Sequence, residues 1–394
     1  MLTGDVVVVG GGPAGCAAAV TLARAGREVV LVDKAVFPRD KCCGDGLTTA
    51  ALRRLAALGL RPEAVPSWQP LDGVWLRSPS GREIELPFPP GGLYGAVARR
   101  VDLDAALLDV ARAAGVKVFD GHALEGAVAH DDRVVLDVDG LGPVAARYAV
   151  GADGMWSPLR KALGAADEPG YLGEWHAFRG YFRGNDSRLW VWFEPDLLPG
   201  YAWSFPLPDG RVNVGFGVQR RPGRPTKELR ALWPELLARP HIRAVVGEPD
   251  GPHKAWPIPA RVGHSPPVAA GGRALFVGDA ARAADPLTGE GIGQALETGV
   301  LAAEAVLAAG ALRPAAAARA YERAVARGLG VDNRLAAALS RALRSPLGAR
   351  GALRTAGLTD WTRRNFARWL FEDYPRAVLL TPRRWRELTR GGMA

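Results

Sequence analysis

Short apolar runs, separated by glycine-rich turns and small-residue helices, dominate the first part of the chain. Residues 6–9 are four consecutive valines, and an alanine-rich stretch separates them from a second apolar run at residues 28–32. Continuous apolar runs of this length are typical of strands buried on both faces of a parallel sheet. The pattern predicts a strand–helix–strand unit over residues 5–33. We expect further strands at residues 72–77, 82–86, 116–119, 133–138, 145–150 and 274–277, and helices at residues 47–58, 101–113, 294–310 and 314–343.

From residue 174 to residue 219 the pattern changes to alternation with a period of two. Strands place every second side chain on the same face of a sheet, so Tyr201, Trp203 and Phe205 share a face. Trp190 and Trp192 are expected on a neighbouring strand of the same sheet. An aromatic face of this kind is either a layer of the hydrophobic core or the wall of an apolar cavity, and the spacing by itself favours the core.

Glycines in the strand that follows favour the cavity. Gly215 and Gly217 alternate there with large apolar residues. A glycine inside a strand often marks the close approach of a ligand or of another part of the backbone. The Asp209-Gly210 pair predicts a hairpin turn between two strands of this region. The region is therefore predicted to be an antiparallel sheet, and both interpretations of its aromatic face stay open.

The composition is that of a globular protein. With 394 residues, 48% of them hydrophobic, the chain is long enough for two interwoven domains. No uninterrupted apolar stretch approaches the ~20 residues of a transmembrane helix, and the first residues lack the basic segment of a signal peptide. The three cysteines, Cys16, Cys42 and Cys43, are few enough for a reducing cytoplasm. The net charge of +9 favours anionic partners, but no nucleic-acid-binding motif accompanies it, so we expect no nucleic acid.

Directly after the valine strand, Gly10, Gly12 and Gly15 stand at G-x-G-x-x-G spacing. The first glycine permits a tight turn, the second lets a pyrophosphate reach the backbone, and the third lets the following helix pack closely on the strand. The N-terminus of that helix faces the phosphates. Asp33 ends the second strand, where a carboxylate accepts hydrogen bonds from a ribose. These residues predict a dinucleotide site.

A second glycine-rich stretch, FVGDAARAADPLTGEGIGQALETG, begins at residue 276. Residues 274–277 are expected to form a strand, Gly278 and Asp279 a turn, and residues 289–293 the start of a helix rich in backbone N–H donors. One such turn is a weak signal, whereas two far-separated turns in one chain are typical of proteins that bind FAD. The sequence therefore predicts an FAD-dependent enzyme.

Five segments carry a family resemblance: FPRDKCCGDGLTTAAL (37–52), RVDLDAAL (100–107), GADGMWSPLRKALG (151–164), GYAWSFP (200–206) and GDAARAADPLTGEGI (278–292). In these segments the chain resembles the geranylgeranyl reductase family of FAD-dependent oxidoreductases, a relative of the p-hydroxybenzoate hydroxylase-like flavoproteins. Bacterial menaquinone reductases look most similar. Two features depart from the pattern. Arg282 stands where many relatives have a small residue, and the C-terminal region does not identify a substrate.

The resemblance implies an α/β fold in which a Rossmann-type FAD-binding domain is interleaved with an antiparallel-sheet substrate domain and followed by C-terminal helices. The FAD-binding domain is expected at residues 1–70, 95–165 and 270–310, and the substrate domain at residues 71–94 and 166–269. The C-terminal helical region is expected at residues 311–394.

The resemblance also implies roles for individual residues. A Y-x-W-x-F-P signature lines the lipid pocket in that family, which favours the cavity interpretation of the aromatic face. The expected pocket residues are Tyr201, Trp203, Phe205, Trp190 and Trp192. The catalytic candidates are Cys43, Asp45 and a water held by Tyr201. The expected cofactor-binding residues are Gly10, Gly12, Pro13, Ala14, Gly15, Asp33, Lys34, Cys43, Gly44, Arg100, Asp153, Gly278, Asp279, Pro286, Gly289, Gly291, Ile292 and Gly293. The six histidines show no metal-ligand spacing, so no metal site is predicted.

The function implied is reduction of a carbon–carbon double bond in a polyprenyl lipid: an isoprenoid diphosphate, a prenylated ether lipid or the side chain of menaquinone. FAD would supply hydride and a nearby acid the proton. NAD(P)H or a small redox protein would reduce the flavin. Two alternatives stay open: a flavin-dependent monooxygenase acting on an aromatic or secondary-metabolite substrate, which would share the cofactor residues, and a non-catalytic flavin- or lipid-binding protein.

A basic and aromatic segment near the C-terminus bears on location. Residues 359–388 interleave arginines with aromatic side chains. This pattern suits a helix at an anionic membrane surface, and it suits equally well helices that close the back of a domain. We expect a cytoplasmic protein that works at the inner face of the membrane. The residues concerned are Arg363, Arg364, Arg368, Arg383, Arg384, Arg386, Trp361, Phe366, Trp369, Phe371 and Trp385.

Overall fold

The computed structural model describes residues 1–184, 186–221 and 226–377. Its strands are β1 (Leu2–Val9), β2 (Val29–Asp33), β3 (Gly46–Thr48), β4 (Gln69–Pro70), β5 (Gly73–Arg77), β6 (Glu83–Pro87), β7 (Gly95–Val97), β8 (Lys117–Asp120), β9 (Leu124–Ala129), β10 (Val134–Val138), β11 (Gly142–Gly151), β12 (Trp175–Gly184), β13 (Trp190–Trp192), β14 (Tyr201–Pro206), β15 (Arg211–Gln219), β16 (Val246–Pro249), β17 (Lys254–Ile258), β18 (Val268–Ala269) and β19 (Ala274–Phe276). Its α-helices are α1 (Pro13–Arg24), α2 (Thr49–Ala57), α3 (Arg100–Ala113), α4 (Pro158–Ala162), α5 (Thr226–Leu237), α6 (Pro240–Arg243), α7 (Ile292–Ala309), α8 (Pro314–Ala342), α9 (Pro346–Ala356) and α10 (Asp360–Leu370).

The first sheet is built around the valine strand. Its order is β18-β19-β11-β1-β2-β8, with β10 and β9 attached to β11, and the strands from β19 to β8 are parallel. In β1, Val6 and Val8 point into one layer of the core, whereas Val7 and Val9 point into the layer on the other face. Both faces are covered, which explains why the strand is continuously apolar.

Small residues let the helices of this sheet pack almost backbone to backbone. α7 lies against α1 on one side and α8 on the other. A Cβ atom added to Gly299 of α7 would lie 2.2 Å from the carbonyl oxygen of Ala14 in α1. Although α7 is long and apolar enough to cross a membrane, 61% of it is buried within the protein. Its apolar character is explained by this packing.

The second sheet has the order β16-β12-β15-β14-β13-β5-β6, with β17 also paired to β12. Its pairs are antiparallel except for β13 and β5. One face packs Phe178 and Phe216 against Trp233 of α5. The sheet therefore has a dry face turned towards α5, and its other face is turned towards the site described below.

The helices that follow α7 tie the two sheets together. The Tyr321 hydroxyl of α8 donates a hydrogen bond to the carbonyl oxygen of Phe276 in β19, at 2.7 Å. Leu353 of α9 and Ala367 of α10 pack into the cluster that holds Leu76 and Leu86 of the second sheet. The segment from α8 to α10 thus reaches from the first sheet to the far edge of the second.

The fold class is confirmed: parallel and antiparallel sheets are interleaved along the chain, and helices follow them. The expected strands and long helices lie within a few residues of the observed ones. The helix expected from residue 47 starts later, because residues 46–48 form the short strand β3. Helices α4, α5 and α6 were not predicted, and α9 was covered only by the expected C-terminal helical region. The domain boundaries stay a prediction. Four residues of the expected membrane segment, Arg383, Arg384, Trp385 and Arg386, lie outside the described residues.

Candidate active site

A cavity of about 1030 Å³ connects both glycine-rich turns with the aromatic strand β14. At one end it is lined by Gly10, Gly12 and Asp33, and further along by Trp203 and Phe205. Binding cavities for drug-sized molecules usually measure ~300–1,000 Å³, so this one has room for more than one small ligand. The cofactor motifs and the predicted substrate wall therefore share one continuous space.

The glycines of the first turn are required by close contacts. Gly10 has φ +109°, and a Cβ atom added there would lie 2.3 Å from the carbonyl oxygen of Ala152. A Cβ atom on Gly15 would lie 1.8 Å from the carbonyl oxygen of Gly10. Gly12 is different, because the nearest atoms to its added Cβ are guanidinium nitrogens 3.6 and 3.9 Å away. Gly10 and Gly15 make the turn tight, and Gly12 leaves it open to a ligand.

Asp33 is held in place by the backbone at the end of β2. Its Oδ2 accepts a hydrogen bond from the Gly11 N–H at 2.7 Å, and its Oδ1 accepts one from the Ala35 N–H at 2.8 Å. The side chain lines the cavity. Each carboxylate oxygen keeps lone-pair capacity, so the fixed group can still accept hydrogen bonds from hydroxyls of a ligand.

Two arginines lie beside the Gly12 turn and share one carboxylate. Arg100 donates to both oxygens of Asp104, at 2.7 and 2.6 Å, and Arg39 donates to its Oδ2 at 2.8 Å. Asp104 is fully buried. Two guanidinium groups against one carboxylate leave a net positive charge at the wall of the cavity. Guanidinium groups bind phosphate oxygens well, so the arrangement suits a pyrophosphate.

The second glycine-rich turn lies on the same cavity. Asp279, Gly289 and Gly291 line it. The prediction that residues 289–293 offer free N–H groups is partly wrong. The Gly289 N–H donates to the Asp285 carbonyl oxygen at 3.0 Å, and the Gly293 N–H donates to Oε1 of Glu290 at 2.8 Å.

Three expected cofactor residues do not line the cavity: Gly15, Pro286 and Gly293. Gly15 acts through packing, as its contact with Gly10 shows. Pro286 has no N–H group to donate, and the N–H group of Gly293 is taken by Glu290. The remaining expected residues form the wall, and their contacts with the cofactor stay a prediction: Gly10, Gly12, Pro13, Ala14, Asp33, Lys34, Cys43, Gly44, Arg100, Asp153, Gly278, Asp279, Gly289, Gly291 and Ile292.

Asp153 carries an unsatisfied acceptor at the cavity. Its Oδ2 accepts a hydrogen bond from the Leu159 N–H at 2.9 Å, whereas its buried Oδ1 has no partner in the protein. Burial raises the pKa of this carboxyl group above its usual range. A buried acceptor without a donor is costly, and a ligand hydroxyl in the cavity would satisfy it.

The aromatic wall consists of alternate residues of β14. Tyr201, Trp203 and Phe205 all line the cavity, with about 6.0 Å between the centroids of successive rings. Gly215 is explained by this wall rather than by a ligand, since a Cβ atom there would lie 2.3 Å from Cζ2 of Trp203. Gly217 also lines the cavity and has no atom within 4 Å of an added Cβ, so a ligand can approach it closely.

The prediction that Trp190 and Trp192 line the pocket is wrong. In the register of the sheet Trp190 is opposite Ser204, and Val191 is opposite Trp203. Paired residues point to the same face, so Val191 lines the cavity while both tryptophans lie on the face towards α5. They stack on each other at 5.9 Å in the core. A shift of one residue in the pairing of β13 with β14 would turn both tryptophans towards the cavity.

A buried polar network stands behind Trp203. The indole Nε1–H donates to Oδ1 of Asn213 at 3.1 Å, and the Asn213 amide donates to Oδ2 of Asp45 at 2.7 Å. The Tyr181 hydroxyl donates to the same carboxylate oxygen at 2.7 Å. Asp45 is fully buried with φ +66°. Burial outweighs these hydrogen bonds and raises the pKa of Asp45 to about 6.

Cys43 and Tyr201, the two other catalytic candidates, also line the cavity. Burial raises the pKa of the Cys43 thiol to about 12, so the group keeps its proton at neutral pH. The Tyr201 hydroxyl donates its proton to the carbonyl oxygen of Thr288. It can therefore hold a water only by accepting a hydrogen bond from it.

Arg282 has a structural explanation. It is buried in the left-handed region with φ +55°. Its guanidinium group lies 3.7 Å from the centroid of the Tyr171 ring and 2.5 Å from a carboxylate oxygen of Asp167. The arginine holds the segment that leads from the first sheet into β12. The fold therefore accommodates a large side chain at this position.

Sequence reasoning missed six charged residues of the wall: Arg39, Asp40, Lys41, Arg179, Lys254 and Glu290. Arg39 and Glu290 are the two that contribute most to the site. Both lie in segments that carried the resemblance, and the basic run around Arg39 was the available signal. Burial and the negative charge of Glu372 raise the pKa of Glu290 above its usual range. No linear signal could have paired Glu290 with a residue 82 positions away, because only packing of the C-terminal region brings Glu372 there.

The FAD binding domain family matches residues 3–316 of the chain. A menaquinone reductase of Mycolicibacterium smegmatis is 38% identical over 370 residues, which cover 85% of this chain and 84% of that protein. The chain belongs to this family of FAD-dependent reductases. A digeranylgeranylglycerophospholipid reductase of Methanopyrus kandleri is 32% identical over 326 residues, 77% of this chain and 80% of that protein.

A solved structure shows the same fold for this reductase over its whole length. It is a geranylgeranyl bacteriochlorophyll reductase-like protein of Thermoplasma acidophilum, with a TM-score of 0.77 and 22% identity over 99% of this chain and 100% of that one. FAD is the cofactor of the enzyme. The open Gly12 turn, the two arginines beside it and the unsatisfied Oδ1 of Asp153 are donors and acceptors of the kind that FAD requires.

Replacing Asp33 by alanine should weaken FAD binding. The variant loses a fixed carboxylate at the position expected for the adenosine ribose, at a cost of about 1–3 kcal/mol, or roughly 5–150-fold in Kd. Titration of the apoprotein with FAD, followed by flavin fluorescence, measures the change. The exposed Asp132→Ala is the matched control. An unchanged Kd for Asp33→Ala would contradict the ribose role.

Asp45 should make stability depend on pH. The folded protein holds its proton up to about pH 6, whereas an unfolded chain releases it near ~3.9. Folding therefore takes up a proton between these values, and the stability falls as the pH rises through them. Asp45→Asn cannot titrate, so its stability relative to the wild type should rise by up to about 3 kcal/mol between pH 4 and pH 7.

Urea unfolding of the holoenzyme at both pH values measures this change, and the difference found for the exposed Asp132→Asn is subtracted as the control. Substitution by asparagine also alters hydrogen bonds, but that cost is the same at both pH values. A pH-independent difference between Asp45→Asn and the wild type would show that the buried carboxyl group does not titrate in this range.

Proposed function

We propose that the enzyme reduces carbon–carbon double bonds of a polyprenyl lipid. The observation that carries the proposal is the continuity of the cavity. It runs from the dinucleotide turns past Trp203 and onward to Leu353 of α9 and Phe366 of α10. A small aromatic substrate beside the flavin would not use that outer part, whereas a long lipid chain would.

The lining of the outer part is apolar. It combines residues of the second sheet with residues of the C-terminal helices: Val74, Leu76, Leu189, Val191, Phe193, Leu339, Leu343, Leu353, Phe366 and Leu370. Burial of a lipid chain here contributes about 0.8 kcal/mol per methylene group. The binding free energy therefore changes gradually with chain length, so the enzyme should accept chains of similar length.

The relatives support the same substrate class. Their names, menaquinone reductase and digeranylgeranylglycerophospholipid reductase, denote enzymes that act on a quinone and on a prenylated glycerolipid. Both align with more than three quarters of this chain. The specific lipid that this enzyme reduces is not determined by the lining, because apolar walls distinguish chain ends poorly.

Reduction of an isolated alkene needs a proton as well as a hydride. FAD, when reduced, supplies the hydride, and an acid on the cavity wall supplies the proton. Cys43 keeps its proton at neutral pH, since the pKa of its thiol is raised to about 12. Asp45 is charged above about pH 6. Both side chains line the cavity, and both stay candidates for the proton donor: Cys43 is protonated at neutral pH, and Asp45 has the pKa nearer to it.

The flavin receives its electrons from NAD(P)H or from a small redox protein. The lipid substrate places the enzyme at the inner face of the cytoplasmic membrane. The cysteines are compatible with this reducing compartment, as Cys16, Cys42 and Cys43 are all free thiols.

The central experiment is anaerobic. The purified holoenzyme is reduced by dithionite, so the result does not depend on the natural electron donor, and polyprenyl lipids in detergent are then added. Reoxidation of the flavin, with mass spectra showing a gain of two hydrogens in the lipid, is the expected outcome. Failure with every polyprenyl lipid, together with oxygen uptake on an aromatic substrate, would establish a monooxygenase instead.

Two tryptophans of the second sheet test the pocket. Trp203→Ala should lower kcat/KM for the lipid at least tenfold, by an estimate of ~1.4 kcal/mol or more from lost apolar contact, and leave FAD content unchanged. Trp192→Ala, on the opposite face, should reduce stability by about 3–5 kcal/mol and leave the kcat/KM of the folded enzyme unchanged. Equal kinetic effects of the two variants would mean that β14 is part of the core.

A further inference from the structure

One of the places at which the cavity reaches the surface is the turn between α8 and α9. Ala342, Leu343 and Gly348 line the cavity at this turn, and Ala342 is at the same time exposed to solvent. The dinucleotide turns line the same space. A lipid chain that enters between α8 and α9 would therefore reach the flavin site without crossing a layer of protein.

Large exposed apolar side chains lie at this turn and beyond the other end of α9. Leu347 at the start of α9 is 76% exposed, Leu358 between α9 and α10 is 65% exposed, and Trp361 at the start of α10 is 68% exposed. The three side chains lie within 15 residues of one another in the sequence. Exposed large apolar residues grouped in this way mark an interaction surface.

The same segment is strongly basic. Residues 341–364 contain six arginines and one acidic residue, Asp360, with neither lysine nor glutamate. Arg344, Arg350, Arg354 and Arg364 are exposed. Charge and apolar side chains thus occur together on the outer face of α9 and the first turn of α10.

Of the described aromatic residues expected to contact a membrane, only some are exposed to solvent. Phe366, Trp369 and Phe371 line the cavity, so they do not face outward. Trp361 is the exposed one of the described set. The exposed apolar and basic side chains begin earlier in the chain than the expected membrane segment and include α9.

We propose that the outer face of α9 and the start of α10 bind an anionic membrane surface and that the lipid substrate enters the cavity at the α8–α9 turn. The inference rests on the proposed function for the identity of the substrate, but not for the binding surface. Leu347, Leu358 and Trp361 would insert at the level of the headgroups, and the arginines between them would contact lipid phosphates.

The chemistry of the surface favours a bilayer over a protein partner. The cores of protein interfaces are depleted in charge and form contiguous apolar patches. Here each apolar side chain is followed within a few residues by an arginine, with the opening of an apolar cavity beside them. An anionic bilayer satisfies both groups at once and supplies the molecule that the cavity accepts.

Vesicle flotation of the full-length holoenzyme tests the surface. Vesicles of neutral phosphatidylcholine are compared with vesicles containing anionic phosphatidylglycerol at low and high salt. Binding is expected to the anionic vesicles only, and to weaken with salt. Arg350→Gln together with Arg354→Gln should reduce binding about 25-fold, or about fivefold for each arginine. Leu347→Ser together with Trp361→Ser should also reduce it.

The matched control lies at the opposite end of α8, a helix of 29 residues that spans roughly 40 Å. Leu312 is 90% exposed there and Arg319 is exposed as well. Leu312→Ser together with Arg319→Gln should leave binding unchanged. Equal loss in the control and in the α9 variants, or equal binding of the wild type to neutral vesicles, would overturn the proposed surface.

Delivery of the substrate from vesicles tests whether the lipid enters the cavity at the α8–α9 turn. A polyprenylated quinone is presented to the reduced enzyme either in anionic vesicles or dispersed in detergent. The arginine pair variant should reoxidise its flavin at the wild-type rate with the detergent-dispersed quinone, and at least tenfold more slowly with the quinone in vesicles. Equal rates from vesicles, despite lost binding, would mean that the lipid enters elsewhere. Failure of the wild type with every detergent-dispersed polyprenyl lipid would instead count against the proposed function, while flotation would still test the surface.

Discussion

The structure depends on contacts so close that no side chain fits between them. The carbonyl oxygen of Gly10 occupies the place where a Cβ atom of Gly15 would stand, and the carbonyl oxygen of Ala14 occupies that of Gly299. The first contact holds α1 on the valine strand, and the second holds α7 on α1. Together they bring two glycine-rich turns, more than 260 residues apart in the sequence, to one cavity. Any larger side chain at these positions would separate them.

The positive charge beside the Gly12 turn is arranged around one buried carboxylate, that of Asp104. Asp104 accepts hydrogen bonds from both Arg100 and Arg39, which fixes two flexible side chains beside the open Gly12 turn. Because one negative charge faces two positive ones, the pair remains attractive to an anion. The protein thus orients the groups expected to bind the phosphates before the cofactor arrives, which reduces the entropy lost on binding.

In the second sheet, side chains that stabilise the fold and side chains that line the cavity lie on opposite faces, because successive residues of a strand point to opposite faces. On one face Trp190 and Trp192 pack with Trp233 in the dry core, and on the other face Trp203 lines the cavity. The C-terminal helices extend that apolar wall and carry the basic outer surface. One sheet therefore supports a core and a cavity wall and, through α9 and α10, carries the surface proposed to contact a membrane.

The sequence by itself determined the features that depend on local spacing. The glycine turns, Asp33, the continuous valine strand and the shared face of Tyr201, Trp203 and Phe205 follow from what neighbouring residues can do to the backbone. The tertiary structure alone decided which face of the sheet is the core, because the register between β13 and β14 is set by pairing across the sheet. It also decided that Arg39 joins Arg100 on Asp104, that Glu290 lies close to Glu372, and that α9 lines the cavity. Those contacts depend on how distant segments of the chain pack together. The pattern of residues along the sequence does not give the distances between such segments.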